Sequence, residues 1–358
     1  MRKDWEYKKF EECISKVPKT PKIQSSAYNQ GSKYPIISQE ENALISGFCD
    51  DESLLFHIER PVVIFGDHTR ALKYIDFDFA IGADGVKVIL PKAFLNAKFL
   101  LYYLKWYNIP NLGYSRHYKL LKEVFVPIPT TEKQLAIVAE LDKINELIQL
   151  KKQQLEDYDQ LAQSIFYEMF GDPVENEKGW EVKKISEVSI YYNGKAHEND
   201  IDESGKYILI NSKFISSEGS VLKRTATQHF PLYKNDVVMV LSDLPNGKAL
   251  GKCCLITKDD IYSLNQRICC FRGFKGDSHF FKYMINRHPY FLSFDDGKGQ
   301  TNLRKKDVEN CPIPLPPLPL QQQFAARIEA IERQKQQVSE TIKDLETLLA
   351  SRMQYWFD

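Results

Sequence analysis

The 358-residue sequence predicts an α+β protein, a pseudo-two-fold tandem repeat in which two mixed α/β modules are joined by two long helices forming an antiparallel coiled coil. Two internal echoes and one periodicity predict it. Pro127-Ile128-Pro129, Gln134, Ile137, Leu141, Ile144, Leu155, Tyr158, Leu161, Ser164 and Phe170 recur without a gap as Pro314-Leu315-Pro316, Gln321, Phe324, Ile328, Ile331, Ile342, Leu345, Leu348, Ser351 and Phe357, at a constant offset of 187 (314 − 127). A shorter echo opens each half, where Trp5-Glu6-Tyr7-Lys8-Lys9-Phe10-Glu11-Glu12 matches Trp180-Glu181-Val182-Lys183-Lys184-Ile185-Ser186-Glu187 at an offset of 175 (180 − 5). Between the echoes the halves barely resemble each other. That contrast suggests one duplicated frame presenting two different reading heads.

In chain order, residues 1–125 are expected to form a first module, 126–171 a helical region, 172–311 a second module and 312–358 a second helical region. Each module is long enough to bury its own core. Pro61-Val62-Val63-Ile64-Phe65, Val86 to Leu90 and Asp236 to Leu241 read as strands, mixed with helical stretches around Ala93 to Trp106 and His279 to Asn286. Prolines open both helical regions, and because they supply no backbone donors they read as stiff connectors. Beyond them, apolar residues recur at alternating intervals of four and three. The seam comprises Ile137, Leu141, Ile144, Ile148, Leu155 and Tyr158 in one copy and Ile328, Ile331, Val338, Ile342, Leu345 and Leu349 in the other.

A helix from Gln134 to Met169 is on the order of 50 Å long and needs a partner along its seam. The available partner is its own copy, with packing on the adjoining module as the alternative. Antiparallel pairing about a two-fold axis would set the modules at opposite ends. Lys151 and Lys335 interrupt the seam and would repel if opposed. The expected register therefore puts Lys151 across from Ile342 and Lys335 across from Tyr158.

Hydrophobic residues at 43% and charged residues at 27% fit a soluble globular protein. No apolar run reaches membrane-span length and no signal peptide is evident, so the expected location is cytoplasmic. The seven cysteines show no metal spacing and read as reduced core residues, the doublets Cys253-Cys254 and Cys269-Cys270 pointing to opposite faces of strands. Zero net charge argues against indiscriminate nucleic-acid coating. Local clusters remain.

Arg116 and Lys119 lie in Gly113-Tyr114-Ser115-Arg116-His117-Tyr118-Lys119, and Lys298, Asn302, Arg304, Lys305 and Lys306 lie in Gly297 to Lys306, each cluster shortly before a proline-rich stretch. Arg70 with Lys73, Lys248 with Lys252, and Arg267 in Asn265-Gln266-Arg267 complete the candidates. A DNA reader needs basic groups for phosphates and Arg, Lys, Asn or Gln for base edges. Any one of these residues taken alone fits a solvated loop charge equally well. Catalytic signatures are weak: Pro316-Pro317 lacks the Asn/Asp and aromatic neighbours of a base-flipping methyltransferase loop, and Gly247 to Cys253 is one residue short of a phosphate loop. His68 beside Asp67 reads as structural or DNA-contacting.

This order of parts resembles the specificity subunit of type I restriction-modification systems. The resemblance rests on the Trp-Glu openings, the proline stretches, Gln163-Ser164-Ile165-Phe166-Tyr167-Glu168-Met169-Phe170-Gly171-Asp172, Phe65-Gly66-Asp67-His68-Thr69-Arg70 and Gly82-Ala83-Asp84-Gly85. It implies that the modules are target recognition domains reading a bipartite, asymmetric site in double-stranded DNA, with the helices as a ruler between them. It also implies a non-catalytic, metal-free chain without a cofactor of its own, and no membrane association. S-adenosylmethionine would sit on partner modification subunits, two in number, that methylate adenine N6, and restriction subunits would cut. A coiled-coil adaptor with two protein-binding modules, or an enzyme with an unfamiliar nuclease or methyltransferase site, stays open on the residues alone.

Overall fold

The two sequence echoes turn out to be partners of each other. In the computed structural model, which describes residues 2, 4–28, 31–113, 115–197 and 199–358, Glu6–Lys9 pairs antiparallel with Phe125–Ile128, and Glu181–Lys184 pairs with Pro312–Leu315 in the same way. The proline stretches are thus strands and not mere connectors, which corrects the expectation above. Each pairing is a two-stranded ribbon. Every strand in it is an edge, where a missing N–H is tolerated if it faces away from the partner. The echoed acids have a local task too: Glu12 Oε2 accepts from the Lys9 N–H at 3.1 Å and Glu187 Oε2 from the Lys184 N–H at 2.6 Å, capping the one-turn helices that follow.

The chain forms two units, Met1–Gln153 with Ser339–Asp358, and Gln154–Val338. Both long helices, Thr131–Phe170 and Leu318–Phe357, therefore begin in one unit and end in the other.

Despite their unlike sequences, the modules share a topology. The first has an antiparallel sheet in the order Ile14–Ser15, Val86–Pro91, Val62–Gly66, Leu72–Ile75; the second repeats it as Ile190–Asn193, Ile268–Arg272, Val237–Val240, Cys253–Leu255. A parallel pair recurs as well, Tyr34–Ile37 beside Phe79–Gly82 and Tyr207–Ile210 beside Tyr262–Leu264. Strand alternation sends Cys253 and Cys269 into one core and Cys254 and Cys270 against another, as the doublets predicted.

The helices Ala97–Tyr107 and Ser278–Ile285 occupy matching places and are N-capped by Asn96 and Asp277. Here the repeated glutamine has its purpose. Gln134 Oε1 accepts from the Asn96 N–H at 2.7 Å while its Nε2 donates to the Phe94 and Pro129 carbonyls, both at 2.9 Å. Gln321 Oε1 accepts from the Asp277 N–H at 3.0 Å and its Nε2 donates to Pro316 O at 2.8 Å. Each long helix is latched at its start to the cap of a module helix.

The seam residues are inward: Ile137, Leu141, Ile144, Ile148, Ile328, Ile331, Val338 and Ile342 are buried, and Leu155, Tyr158, Leu345 and Leu349 half-buried. Ile137 and Leu141 join the first module's core and Ile328 and Ile331 the second's, so the start of each helix also packs on its own module. Within the first unit Glu140 binds Arg352 and Trp356, and Lys152 lies 3.2 Å from Glu346, so residue numbers rise along one helix as they fall along the other. In the second unit Lys335 Nζ reaches Asp159 at 2.6 Å and Glu218 at 3.3 Å.

The repeated final phenylalanines close both cores. Phe170 lies 4.8 Å from Phe280 and 5.3 Å from Phe324, whereas Phe357 sits 5.5 Å from both Phe99 and Tyr103, ring centre to ring centre.

Candidate nucleic-acid interface

In the first module the loops at one end of the main sheet are tied into a single floor. The backbone N–H of Asp67 donates to Gly85 O at 2.7 Å, His68 N–H donates to Gln39 Oε1 at 3.1 Å, and the Thr69 hydroxyl donates to Gln39 O at 2.6 Å. Gly85 sits at φ +78°, where a side chain is strained, and a Cβ there would fall 2.6 Å from Gln39 Oε1 and displace it. Buried Asp67 accepts from Tyr118 N–H at 2.7 Å, and its carbonyl accepts from His117 N–H at 2.8 Å. The His117 ring completes the tie. Its Nε2 accepts from Leu112 N–H at 3.0 Å, which leaves the proton on Nδ1 to be donated to Asp67 O at 2.9 Å.

Arg116 and Lys119 stand exposed on this floor; Tyr114, between the same glycine and lysine, lies outside the described residues. The fold adds two lysines that sequence reading missed. Lys87 lies 3.8 Å from the Asp67 carboxylate, and Lys22 Nζ donates to Val86 O at 3.0 Å. Burial and then the Lys87 charge lower the Lys22 ammonium below its ordinary pKa, with Asp84 and Asp67 opposing and Arg116 adding to the shift, so these charges share one neighbourhood. A signal existed for Lys87, which alternates with apolar Val86 and Val88 in a strand.

Two expected contacts are placed elsewhere. Lys73 is only 8% exposed and donates to Ser38 O at 2.9 Å, so it holds a loop from inside and is not free to meet phosphate. Arg70 is half-buried, donating to Ile109 O at 2.8 Å and to Asn108 Oδ1 at 3.4 Å. It fastens the floor to the end of the helix Ala97–Tyr107.

The second module builds its floor from three loops at the matching end. Ser242–Asp243 pairs with Thr301–Asn302, Leu241 N–H donates to Arg267 O at 2.9 Å, and Leu303 N–H donates to Leu241 O at 2.8 Å. Asp295 binds Asn246 N–H at 3.1 Å and the Thr301 hydroxyl at 3.2 Å. Lys248, Arg267, Lys298, Asn302, Arg304, Lys305 and Lys306 are exposed, and Lys252 half-buried. Lys305 is paired with Glu309 at 3.5 Å, an exposed and weak link that leaves its ammonium accessible.

Another polar cluster lies inside the second module. His197 and Ser263 are buried and share a 2.7 Å hydrogen bond, while His229 binds Asp200. Burial lowers the His197 pKa below its ordinary value. His197 and Ser263 are sealed from solvent and their hydrogen bond braces loops, while His229 and Asp200 beside them are partly exposed. No helix among the described residues is long and apolar enough to cross a membrane.

Residues 2–157 and 177–347 match the family described as type I restriction modification DNA specificity domain. The chain is similar, at 25% identity over 282 residues, to the type I restriction enzyme MjaIX specificity subunit of Methanocaldococcus jannaschii; the match covers 69% of this chain and 65% of that protein's length. Its fold is similar to that of a type I restriction-modification S subunit from M. genitalium, at a TM-score of 0.56 and 15% identity over 98% of this chain and 95% of the other. A structure described under complex assembly and conformational transition of the type I R-M system matches at a TM-score of 0.54 and 16% identity, over 99% of this chain and 98% of the other.

Proposed function

Because the chain belongs to the type I restriction-modification DNA specificity family, we propose that it reads a bipartite, asymmetric DNA site and does no chemistry itself. Residues 1–125 and 172–311 act as target recognition domains, and 126–171 and 312–358 as the helical regions that set the gap. The observation carrying this reading is the matched floor of the two modules: one topology, loops gathered at one end of the main sheet, exposed basic and amide side chains on them, and different residues in each. Phosphates would meet Arg116, Lys119, Lys22 and Lys87 in one module and Lys248, Lys252, Lys298, Arg304, Lys305 and Lys306 in the other. Arg267 and Asn302 are suited to base edges. Unlike loops on like frames would read unlike half-sites.

The helices act as an antiparallel coiled coil. Support comes from the buried seam and from the pairs 140 with 352, 152 with 346 and 159 with 335, whose sums, 492, 498 and 494, lie within five of the 493 of the expected register. The partners are modification subunits, two in number, that carry S-adenosylmethionine and methylate adenine N6, together with restriction subunits, acting on the chromosome in the cytoplasm. Genome-wide mapping of methylated adenines in cells with and without the chain tests the whole reading. A split motif with a fixed gap, lost when the chain is lost, is expected; an unchanged methylation pattern in cells with active modification subunits overturns it.

A further inference from the structure

Leu244 is 70% exposed, yet the turn that carries it is firmly built. Leu244-Pro245-Asn246-Gly247 closes with Gly247 N–H donating to Leu244 O at 2.9 Å, and Asn246 at φ +55° follows a proline, the pattern of a type II turn. Asp243 holds both ends: Oδ1 accepts from Leu244 N–H at 2.8 Å, and Oδ2 accepts from Ala249 and Leu250 N–H at 2.6 and 3.1 Å. The Asn246 N–H is bound to Asp295, and the Asn246 side chain lies beside Gly297. Asp243 itself pairs with Thr301, between exposed Gln300 and Asn302. A large aliphatic side chain is therefore presented to solvent from a hydrogen-bonded turn, in loops that also carry exposed Lys248, Lys298, Gln300 and Asn302.

We propose that Leu244 determines specificity by packing on the C5-methyl group of a thymine in the half-site read by the second module. The inference rests on the DNA-reading role proposed above. Thymine is the base that presents an apolar group in the major groove, and apolar side chains read it there. Charged and amide neighbours bring the groove to the turn, and a rigid turn loses little conformational freedom on docking. Leu244 neutralises no phosphate. It adds discrimination without adding salt dependence.

The test uses the full chain assembled with its modification subunits and duplexes carrying the mapped split motif, in which each thymine in turn is replaced by deoxyuridine so that one methyl group is removed. Wild-type protein is expected to lose about fourfold in affinity at one thymine, the equivalent of one buried methyl or methylene. Leu244→Ala is expected to bind the thymine duplex at least that much more weakly, to show no further loss with deoxyuridine, and to keep the wild-type salt slope and scrambled-duplex affinity. The proposal is overturned if no read position holds thymine, if the wild type ignores every deoxyuridine, or if Leu244→Ala weakens motif and scrambled duplex alike, as a wedge between base steps would. Failure of the wild type to prefer the motif over scrambled DNA would instead overturn the DNA-reading role itself.

Discussion

Replacing Gln134 by leucine keeps most of its volume and removes three hydrogen bonds from a residue that is 1% exposed. The Asn96 N–H loses its acceptor, and the carbonyls of Phe94 and Pro129 lose a shared donor. A buried donor left unsatisfied costs about 1–3 kcal/mol, and the carbonyls add to it, so a loss of about 3 kcal/mol is expected. For a unit of this size that lowers the melting midpoint by about 6–12 °C. Gln321→Leu removes two such bonds and is expected to cost about 2 kcal/mol. Scanning calorimetry at one pH and salt concentration ranks wild type above Gln321→Leu above Gln134→Leu. A Gln134→Glu variant adds a sign test. Its carboxylate would face two carbonyls, and its deficit should narrow on acidification as the protonated acid regains one donor. A Gln134→Leu midpoint within about 1 °C of wild type would refute the latch.

Lys305→Glu with Lys306→Glu should weaken binding to every duplex alike and reduce the log–log salt slope by about 1 for each phosphate no longer neutralised; unchanged affinity and slope count against the assignment. Inserting seven residues at matched midpoints of both long helices adds about 10 Å of rise, or about three base pairs, and should lengthen the unread gap in the methylated motif without altering its half-sites. Phe357→Ala, which empties a pocket beside Phe99 and Tyr103, should cost about 3–5 kcal/mol in urea unfolding. The Arg352 guanidinium, helped by the Trp356 indole, holds the Glu140 carboxyl below its ordinary value of 4.5. Its contribution is present above that pH and lost as pH falls through the lowered folded pKa, so Glu140→Gln should show a shallower acid decline than wild type.

The repeat made the frame legible because duplicated interactions keep duplicated residues: Gln134 and Gln321 grip equivalent caps, and Phe170 and Phe357 fill equivalent cores. The prolines misled. Nothing local in Val126-Pro127-Ile128-Pro129 reveals a partner strand more than a hundred residues away at Glu6–Lys9. Lys73 misled for a different reason, its charge suggesting surface while strand alternation through Leu72–Ile75 turned it inward onto a carbonyl. Shared topology between the modules was hidden because a sheet order depends on long-range pairing, and many side chains satisfy one pleat. The floors drew on loops separated by dozens of residues. Lys22 and Lys87 therefore met Arg116 only in the folded chain.

Completion of the first core during synthesis waits on one distant aromatic ring. The core that starts with Phe10 is sealed by Phe357, so a nascent chain carries an unfinished aromatic face, Phe99 and Tyr103, until Phe357 has emerged. A chain cut short before Phe357 would thus be one whose first core, made earliest, is left incomplete.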